Sequence, residues 1–248
     1  MNSGDKHRSV YSGRARLGLI VPPTNTVNEA EWTRLVPDGV TFHTTRMPLH
    51  LDTKSNEGVA RLEADLHQSV LYLRQAQVDV VSYACTAGSL LVPPEALPTK
   101  MQAWAGVPCV TTAAAIVYAL RALGVTRVAV ATPYDEAINQ HEAEFLISCG
   151  FKITTITGLG FRTAEFRRIA ETTLEVVSAQ ASAVMRYGNP EALLLSCTDL
   201  PSLPILSQLE LQFGVPVISS NSATLWASLR AANIPDSIPS AGRLLTLH

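Results

Sequence analysis

The chain has 248 residues, of which 47% are hydrophobic and 16% charged, with a formal net charge of −2. This length and composition suit one large or two small globular domains with a substantial core. The near-neutral charge without Lys/Arg clusters argues against nucleic acid as a partner. No apolar stretch reaches the roughly 18 residues that a membrane-spanning helix requires, and no apolar signal core is present, so we expect a cytoplasmic protein without a membrane partner.

Apolar, β-branched runs alternate with helical patterns along the chain, which is typical of βαβ units and a parallel sheet. The polar segment 1–13 is expected to be disordered. Strands are predicted at 17–21, 41–46, 78–84, 107–111, 127–131, 152–156, 192–196 and 215–219. Helices are predicted at 28–35, 58–76, 94–105, 113–123, 136–149, 163–187, 203–213 and 221–232.

Three motifs of the first half recur in the same order in the second half, roughly 110 residues later, which is too long for a solenoid period. The first motif is the strand at 16–22, which recurs at 127–133. The second is a Cys-Thr pair at a strand end, and the third is a Gly-Val-Pro strand. This duplication predicts an α/β fold with two similar four-stranded parallel-sheet domains, related by pseudo-twofold symmetry, and a cleft between them.

The repeat also sets the expected domain boundaries. The first repeat is predicted at 14–113 and the second at 114–220. The C-terminal helical region 221–248 follows the second Gly-Val-Pro strand, just as the helix at 113–123 follows the first. In duplicated folds such equivalent helices can exchange places, so the region 221–248 can pack on the first repeat.

The Cys-Thr pairs begin with Cys85 and Cys197, each at the end of a short apolar strand. The carboxyl ends of parallel strands are where α/β sheets place ligands, so the two thiols are predicted to share one cleft. Backbone N–H groups of the turn after each cysteine should favour a thiolate or a bound carboxylate. The alternative is an ordinary buried cysteine, which we favour for Cys109 and Cys149.

Two loops should contribute polar groups to the same cleft. The loop at 21–28 offers amide, hydroxyl and backbone donors in one place, and the alternative is a plain turn with Thr26 or Asn28 as helix N-cap. In the second repeat Tyr134 occupies the equivalent loop, while Asp135 is expected to cap the following helix. The substrate-binding candidates are Pro23, Asn25, Thr86, Ala87, Tyr134 and Thr198.

No Lys, Arg or His occurs within 21–28, 82–91 or 195–203, so a substrate anion would be held by neutral donors. The thiols are then the groups that exchange protons most readily near neutral pH, because Asp199 should stay ionised unless it is buried. The six histidines have no metal-binding spacing, and no phosphate loop or dinucleotide motif is present. We expect neither a metal nor a cofactor.

The ordered motifs resemble the aspartate/glutamate racemase superfamily, and more closely its branch of maleate cis-trans isomerases and arylmalonate decarboxylases. The resemblance covers nearly the whole chain after the leader. The motifs that carry it are Gly18-Leu-Ile-Val-Pro-Pro-Thr-Asn25-Thr26, Cys85-Thr86, Thr132-Pro-Tyr134, Ser196-Cys197-Thr198 and Gly214-Val-Pro-Val.

The resemblance implies a cofactor-independent enzyme with its active site between two α/β domains. Decarboxylases of this branch keep only the cysteine equivalent to Cys197, whereas the isomerases and racemases keep both, as this chain does.

One departure from the family pattern concerns the binding of maleate itself. Maleate isomerases usually have a carboxylate-binding asparagine after the sixth strand, whereas here Gly158-Leu-Gly160 leads to Arg162 and Thr163. Either of these residues could substitute, or the substrate lacks the second small carboxylate.

The leading interpretation is a maleate isomerase-like enzyme acting on a small carboxylate. The Cys85 thiolate adds to the double bond of a cis-enoic diacid, the new single bond rotates, and elimination gives the trans product, with Cys197 supplying and recovering the proton. The alternatives are a two-cysteine racemase, a decarboxylase-like enzyme and, from another class, a non-catalytic binding module of the periplasmic type. A homo-oligomer is compatible with the sequence.

Overall fold

The computed structural model describes residues 7–248. Residues 1–6, part of the leader expected to be disordered, lie outside the described residues. Residues 7–13 make specific contacts, and the disorder expected for the leader stays a prediction. His7 Nε2 lies 2.7 Å from Asp79 Oδ2, and the buried Ser12 hydroxyl accepts a hydrogen bond from Arg16 Nε at 3.1 Å.

Eight strands form two four-stranded parallel sheets. The first sheet has the order β2-β1-β3-β4, with β1 at Ala15–Val21, β2 at Val40–Arg46, β3 at Val80–Tyr83 and β4 at Cys109–Thr111. The second sheet has the order β6-β5-β7-β8, with β5 at Arg127–Tyr134, β6 at Lys152–Phe161, β7 at Ala192–Leu195 and β8 at Val217–Ser219. The predicted fold class is confirmed.

Helices follow the strands as crossover connections. The α-helices are α1 Asn28–Trp32, α2 Asn56–Gln75, α3 Ala96–Ala105, α4 Thr112–Ala122, α5 Glu136–Ser148, α6 Leu174–Val184, α7 Leu206–Phe213, α8 Ser220–Ala231 and α9 Arg243–Leu247. Short 3-10 helices occupy Ala87–Ser89, Thr163–Glu171, Leu203–Ile205 and Pro239–Ala241. Within residues 7–248, no helix combines the length and apolar character needed to cross a membrane.

The helix predicted at 163–187 is wrong in extent. It is broken by Thr172 and Thr173, and Thr173 has an extended backbone (φ −77°, ψ 155°) at the N-cap of α6. The helix predicted at 221–232 agrees with α8. The whole region 221–248 is not one helix, because α8 is followed by a left-handed turn at Asn233 (φ 60°), the 3-10 helix Pro239–Ala241 and the separate helix α9.

The helices that follow the two Gly-Val-Pro strands, α4 and α8, pack against each other between the sheets. Helix α8 also contacts β3 and β4 of the first sheet. Ser228 Oγ lies 2.7 Å from Ser82 Oγ on β3, and the Thr224 hydroxyl donates to Thr112 Oγ1 at 3.0 Å. These contacts put α8 on the first repeat, while the domain boundaries at 14–113 and 114–220 stay a prediction.

A buried carboxylate also connects the halves. Glu31 of α1 accepts hydrogen bonds from the backbone N–H groups of Ser202 at 2.7 Å and Leu203 at 2.8 Å. It also accepts from Asn221 Nδ2 on α8 at 2.8 Å. One apolar cluster includes side chains from both sheets, so the two halves share a core rather than meeting at a polar surface.

Candidate active site

The two cysteines occupy equivalent places in the two sheets. Cys85 follows the end of β3 by two residues, and Cys197 follows the end of β7 by two residues. Both line one cleft with an empty volume of about 360 Å³. The residues that line it are Pro22, Thr24, Asn25, Leu49, Cys85, Thr86, Ala87, Tyr134, Phe166, Ile169, Cys197, Thr198 and Asp199.

The surroundings of Cys85 depend on a glycine. A Cβ atom at Gly88 would lie 2.4 Å from Tyr83 Oη and 3.0 Å from Cys85 Sγ, so only glycine allows the backbone to approach the sulfur this closely. Burial raises the pKa of the Cys85 thiol, and the Gly88 N–H and the Tyr83 hydroxyl partly oppose that rise. Tyr83 Oη itself is buried and has no hydrogen-bond partner of ordinary geometry among the described residues.

The backbone of Cys197 is strained, with φ at 155°, a region that non-glycine residues rarely adopt. Its N–H donates to Ser220 Oγ at 3.0 Å, and its sulfur accepts from the Asp199 N–H at 3.4 Å. Burial raises the pKa of the Cys197 thiol to about 12, and the negative charge of Asp199 adds to the rise, while the Tyr134 hydroxyl lowers it.

These environments correct one expectation. The turns after the cysteines do not produce a resting thiolate, because burial outweighs the stabilisation given by neighbouring N–H groups. The two thiols nevertheless differ. Each sulfur has a backbone N–H and a tyrosine hydroxyl as donors, and Cys197 in addition lies beside a carboxylate that disfavours its ionisation. Cys197 is therefore suited to hold a proton and Cys85 to become the nucleophile.

The threonines after the two cysteines link the halves of the molecule. Thr86 Oγ1 lies 2.8 Å from Ser220 Oγ, and the Thr198 hydroxyl donates to the carbonyl oxygen of Ala84 at 3.1 Å. Both threonines line the cleft, as does Ala87. Their hydroxyl groups thus hold the two cysteine-bearing turns against the other half of the molecule.

Asn25 organises the loop after β1. Its Oδ1 accepts from the Val27 N–H at 3.2 Å and the Asn28 N–H at 3.0 Å, and its Nδ2 donates to Thr198 Oγ1 at 3.0 Å. The side chain that caps this turn is thus Asn25 itself, rather than Thr26 or Asn28. Pro23 is exposed and is not among the residues that line the cleft, and its contribution to substrate binding stays a prediction.

Tyr134 is the last residue of β5 and is 3% exposed. Its ring packs on Phe166 with centroids 5.8 Å apart. Burial raises its pKa well above the usual value, and the nearby Cys197 and Glu142 raise it further, so the hydroxyl stays a neutral donor. Asp135 caps α5 as expected, accepting from the Ile138 N–H at 3.3 Å.

A second buried carboxyl lies behind the cleft. Glu142 of α5 is 1% exposed, and one of its oxygens accepts a hydrogen bond from the hydroxyl of Ser196, the residue before Cys197. Its other oxygen has no partner among residues 7–248. Burial raises the pKa of Glu142 to about 7, against the opposing effect of Ser196.

Sequence reasoning missed three lining residues, namely Leu49, Phe166 and Ile169. Phe166 and Ile169 belong to the 3-10 helix that replaces the start of a predicted longer helix. Asp199, which the sequence analysis treated only as a group that stays ionised unless buried, also lines the cleft. Its Oδ1 accepts from the Thr26 N–H at 2.8 Å and the Val27 N–H at 3.3 Å, and burial raises its pKa to about 6.

The proposed substitutes for the missing asparagine do not reach the cleft. Arg162 and Thr163 are exposed and are absent from its lining. Among the described residues, no group of three or more His, Cys, Asp and Glu side chains could hold a metal ion.

Two parallel-sheet halves with a cysteine from each on one cleft define a class of two-cysteine α/β enzymes. The chain belongs to the arylmalonate decarboxylase family, whose model matches residues 17–245. It is 33% identical to a maleate isomerase of Nocardia farcinica, over 94% of this chain and 96% of that protein. It is 32% identical to an arylmalonate decarboxylase of Bordetella bronchiseptica, over 87% of this chain and 90% of that protein.

Solved structures agree with these relatives. One is a cysteine-to-serine variant of the Nocardia farcinica maleate cis-trans isomerase with a covalently bound succinylcysteine intermediate (TM-score 0.83, 29% identity, 94% of this chain and 99% of that chain). Another is arylmalonate decarboxylase (TM-score 0.79, 29% identity, 93% and 98%). The predicted family resemblance is confirmed, as is the expectation of an enzyme resembling maleate isomerases.

Proposed function

We propose that this chain is a cofactor-independent cis-trans isomerase that uses Cys85 and Cys197 on a small cis-enoic carboxylic acid. The observation that carries the proposal is the pair of thiols, one from each half, on a single cleft. The cleft lining contains no Lys, Arg or His among the described residues, so the carboxylate would be held by neutral donors. Tyr134, Asn25 and the backbone after Cys85 are the proposed donors.

In the proposed mechanism, the Cys85 thiol first releases its proton to water. The resulting thiolate then attacks one carbon of the double bond, so that a carbon–sulfur bond forms and the π bond breaks. The displaced electron pair moves onto the substrate carboxylate as an enediolate, where preorganised donors stabilise the charge. The Cys197 thiol then protonates the adjacent carbon. After rotation about the new single bond, the Cys197 thiolate removes a proton from that carbon, the carbon–sulfur bond breaks, and the trans product leaves.

The different surroundings of the two thiols support these roles. Burial, with the negative charge of Asp199 adding to its effect, keeps the Cys197 thiol protonated, as a proton donor requires. The Gly88 N–H and the Tyr83 hydroxyl are donors to the sulfur of Cys85. The succinylcysteine intermediate of the Nocardia farcinica relative is the adduct that such an addition and protonation would give in that protein. The cytoplasmic location and the homo-oligomer expected from the sequence stay predictions.

The first test is an absorbance assay with maleate, whose near-ultraviolet absorption falls on isomerisation. Cys85→Ala and Cys197→Ala should each abolish turnover. Cys109→Ala and Cys149→Ala are matched controls, since neither residue lines the cleft, and both should retain turnover. Full activity of Cys85→Ala would instead favour decarboxylase-like chemistry with one cysteine.

A second assay separates the isomerase from the two-cysteine racemase. Racemisation in deuterium oxide must introduce deuterium at the α-carbon of recovered substrate, whereas isomerisation by addition need not label every product molecule. Deuterium exchange into single enantiomers of amino acids, without isomerisation of cis-enoic acids, would overturn the proposed reaction.

A further inference from the structure

Among the described residues, no cation lines the cleft to bind a second carboxylate. Arg46 is a cation that contacts the loop after β1, and it is already engaged. Its Nη1 donates to the carbonyl oxygens of Asn25 at 2.8 Å and Pro22 at 3.2 Å, and Nη2 pairs with Glu29. Arg46 thus holds the loop in place and is absent from the lining of the cleft.

One wall of the cleft is apolar. Leu49, Phe166 and Ile169 line it, and Phe166 and Ile169 are buried in the 3-10 helix that follows β6. The polar residues of the same segment, Arg162 and Thr163, are exposed to solvent instead. A substrate group that extends toward this wall would lose its contact with water without gaining a hydrogen-bond donor. This transfer costs free energy for a carboxylate, whereas it is favourable for an uncharged apolar group.

The ionisable carboxyl in the lining is that of Asp199, which is 6% exposed. Two backbone N–H groups occupy its Oδ1, whereas Oδ2 is buried with no hydrogen-bond partner among the described residues. When ionised, Asp199 adds negative charge to a cleft that already receives an anionic substrate. A second substrate carboxylate would therefore meet repulsion in a partly buried site, where charges are poorly screened.

We infer that the substrate is a monoanionic cis-enoic acid, with one carboxylate and an uncharged far end, and that Asp199 sets this preference against dicarboxylates. The inference rests on the proposed isomerase function and specifies its substrate class. The far end packs against Leu49, Phe166 and Ile169. Half-amides and half-esters of cis-butenedioic acid fit this description, since they keep the activated double bond and lose one charge.

The test compares kcat/KM for maleate, its monomethyl ester and its monoamide at about pH 8, where the carboxyl groups are ionised. The wild-type enzyme should prefer the monoanions by about tenfold to hundredfold, as repulsion between close charges would give. Asp199→Asn should reduce this preference to within about threefold. Because the substitution also changes the charge beside Cys197, the ratio between substrates is the readout rather than the absolute rate.

Arg162→Ala is the matched control, because Arg162 is the cation that the sequence offered for the second carboxylate. It should leave the preference unchanged. A wild-type preference for maleate, or loss of maleate turnover in Arg162→Ala, would overturn the inference while leaving the isomerase function intact. No isomerisation of any of the three compounds would instead count against the proposed function.

A binding measurement keeps the inference testable if Asp199→Asn does not fold. Succinate and its monomethyl ester, the saturated analogues, are compared for protection of the wild-type cysteines against iodoacetamide. The monoester should protect at about tenfold lower concentration than succinate. Equal or better protection by succinate contradicts the inference independently of turnover.

Discussion

Replacing Tyr83 by phenylalanine should separate the reactivity of Cys85 from the stability of the fold. Tyr83 is fully buried on β3, and its hydroxyl lies close enough to Cys85 to lower the pKa of that thiol. The hydroxyl has no partner of ordinary hydrogen-bond geometry among residues 7–248. We expect it to donate to the sulfur when Cys85 ionises, and thereby to stabilise the thiolate.

The size of the effect follows from the nature of that hydrogen bond. A hydrogen bond to a charged group contributes about 1.5–3 kcal/mol, so its loss should raise the pKa of Cys85 and slow alkylation at neutral pH by about tenfold to hundredfold. The free energy of unfolding should change by less than about 1 kcal/mol or even rise, because Tyr83→Phe removes a buried hydroxyl without a partner and leaves the ring in place.

The assay is the pH dependence of alkylation by iodoacetamide, measured on Cys197→Ser and on Cys197→Ser combined with Tyr83→Phe. The Cys197→Ser background removes the other thiol of the cleft, and urea unfolding of both proteins monitors stability. An alkylation profile that does not move, or one that moves only together with a large loss of stability, would refute the role given to the Tyr83 hydroxyl.

Three other predictions concern buried residues around the cleft. Gly88→Ala should lower turnover at least about tenfold and cost about 1–3 kcal/mol in unfolding free energy, since its Cβ would collide with Tyr83 Oη at 2.4 Å. Glu31→Ala should cost at least about 3 kcal/mol in urea unfolding, because three buried donors lose their acceptor; unchanged stability would contradict its role in joining the halves. Burial raises the pKa of Glu142 from 4.5 to about 7, so the native state holds this proton more tightly than the unfolded state. The wild-type unfolding free energy should therefore lose up to about 3 kcal/mol as the pH rises through this range; Glu142→Gln should lose correspondingly less, and parallel pH profiles would contradict the assignment.

Much of the fold could be read from the sequence because it depends on local patterns. Apolar strand runs and intervening helical periodicity predict βαβ units, and the duplicated motifs predict two equivalent sheets. The same duplication drew attention to Cys85 and Cys197, since parallel strands present their carboxyl ends at one edge. The absence of cations from the loops at this edge was also visible in the sequence.

Local patterns failed where contacts distant in sequence decide the structure. The helix predicted at 163–187 is interrupted, because Phe166 and Ile169 are buried at the cleft while Thr173 starts a separate helix. Thr86 and Thr198 looked like substrate donors, yet their hydroxyl groups are engaged across the two halves.

The sequence by itself determined the architecture, the family and the pair of candidate thiols. Only the tertiary structure decided their protonation, since the pKa of a thiol depends on burial and on neighbours such as Tyr83 and Asp199. It also decided that the cleft has one apolar wall and a carboxylate with a free oxygen. The sequence shows which ionisable groups are present, whereas the solvation of these groups and the charges beside them depend on how the two halves pack.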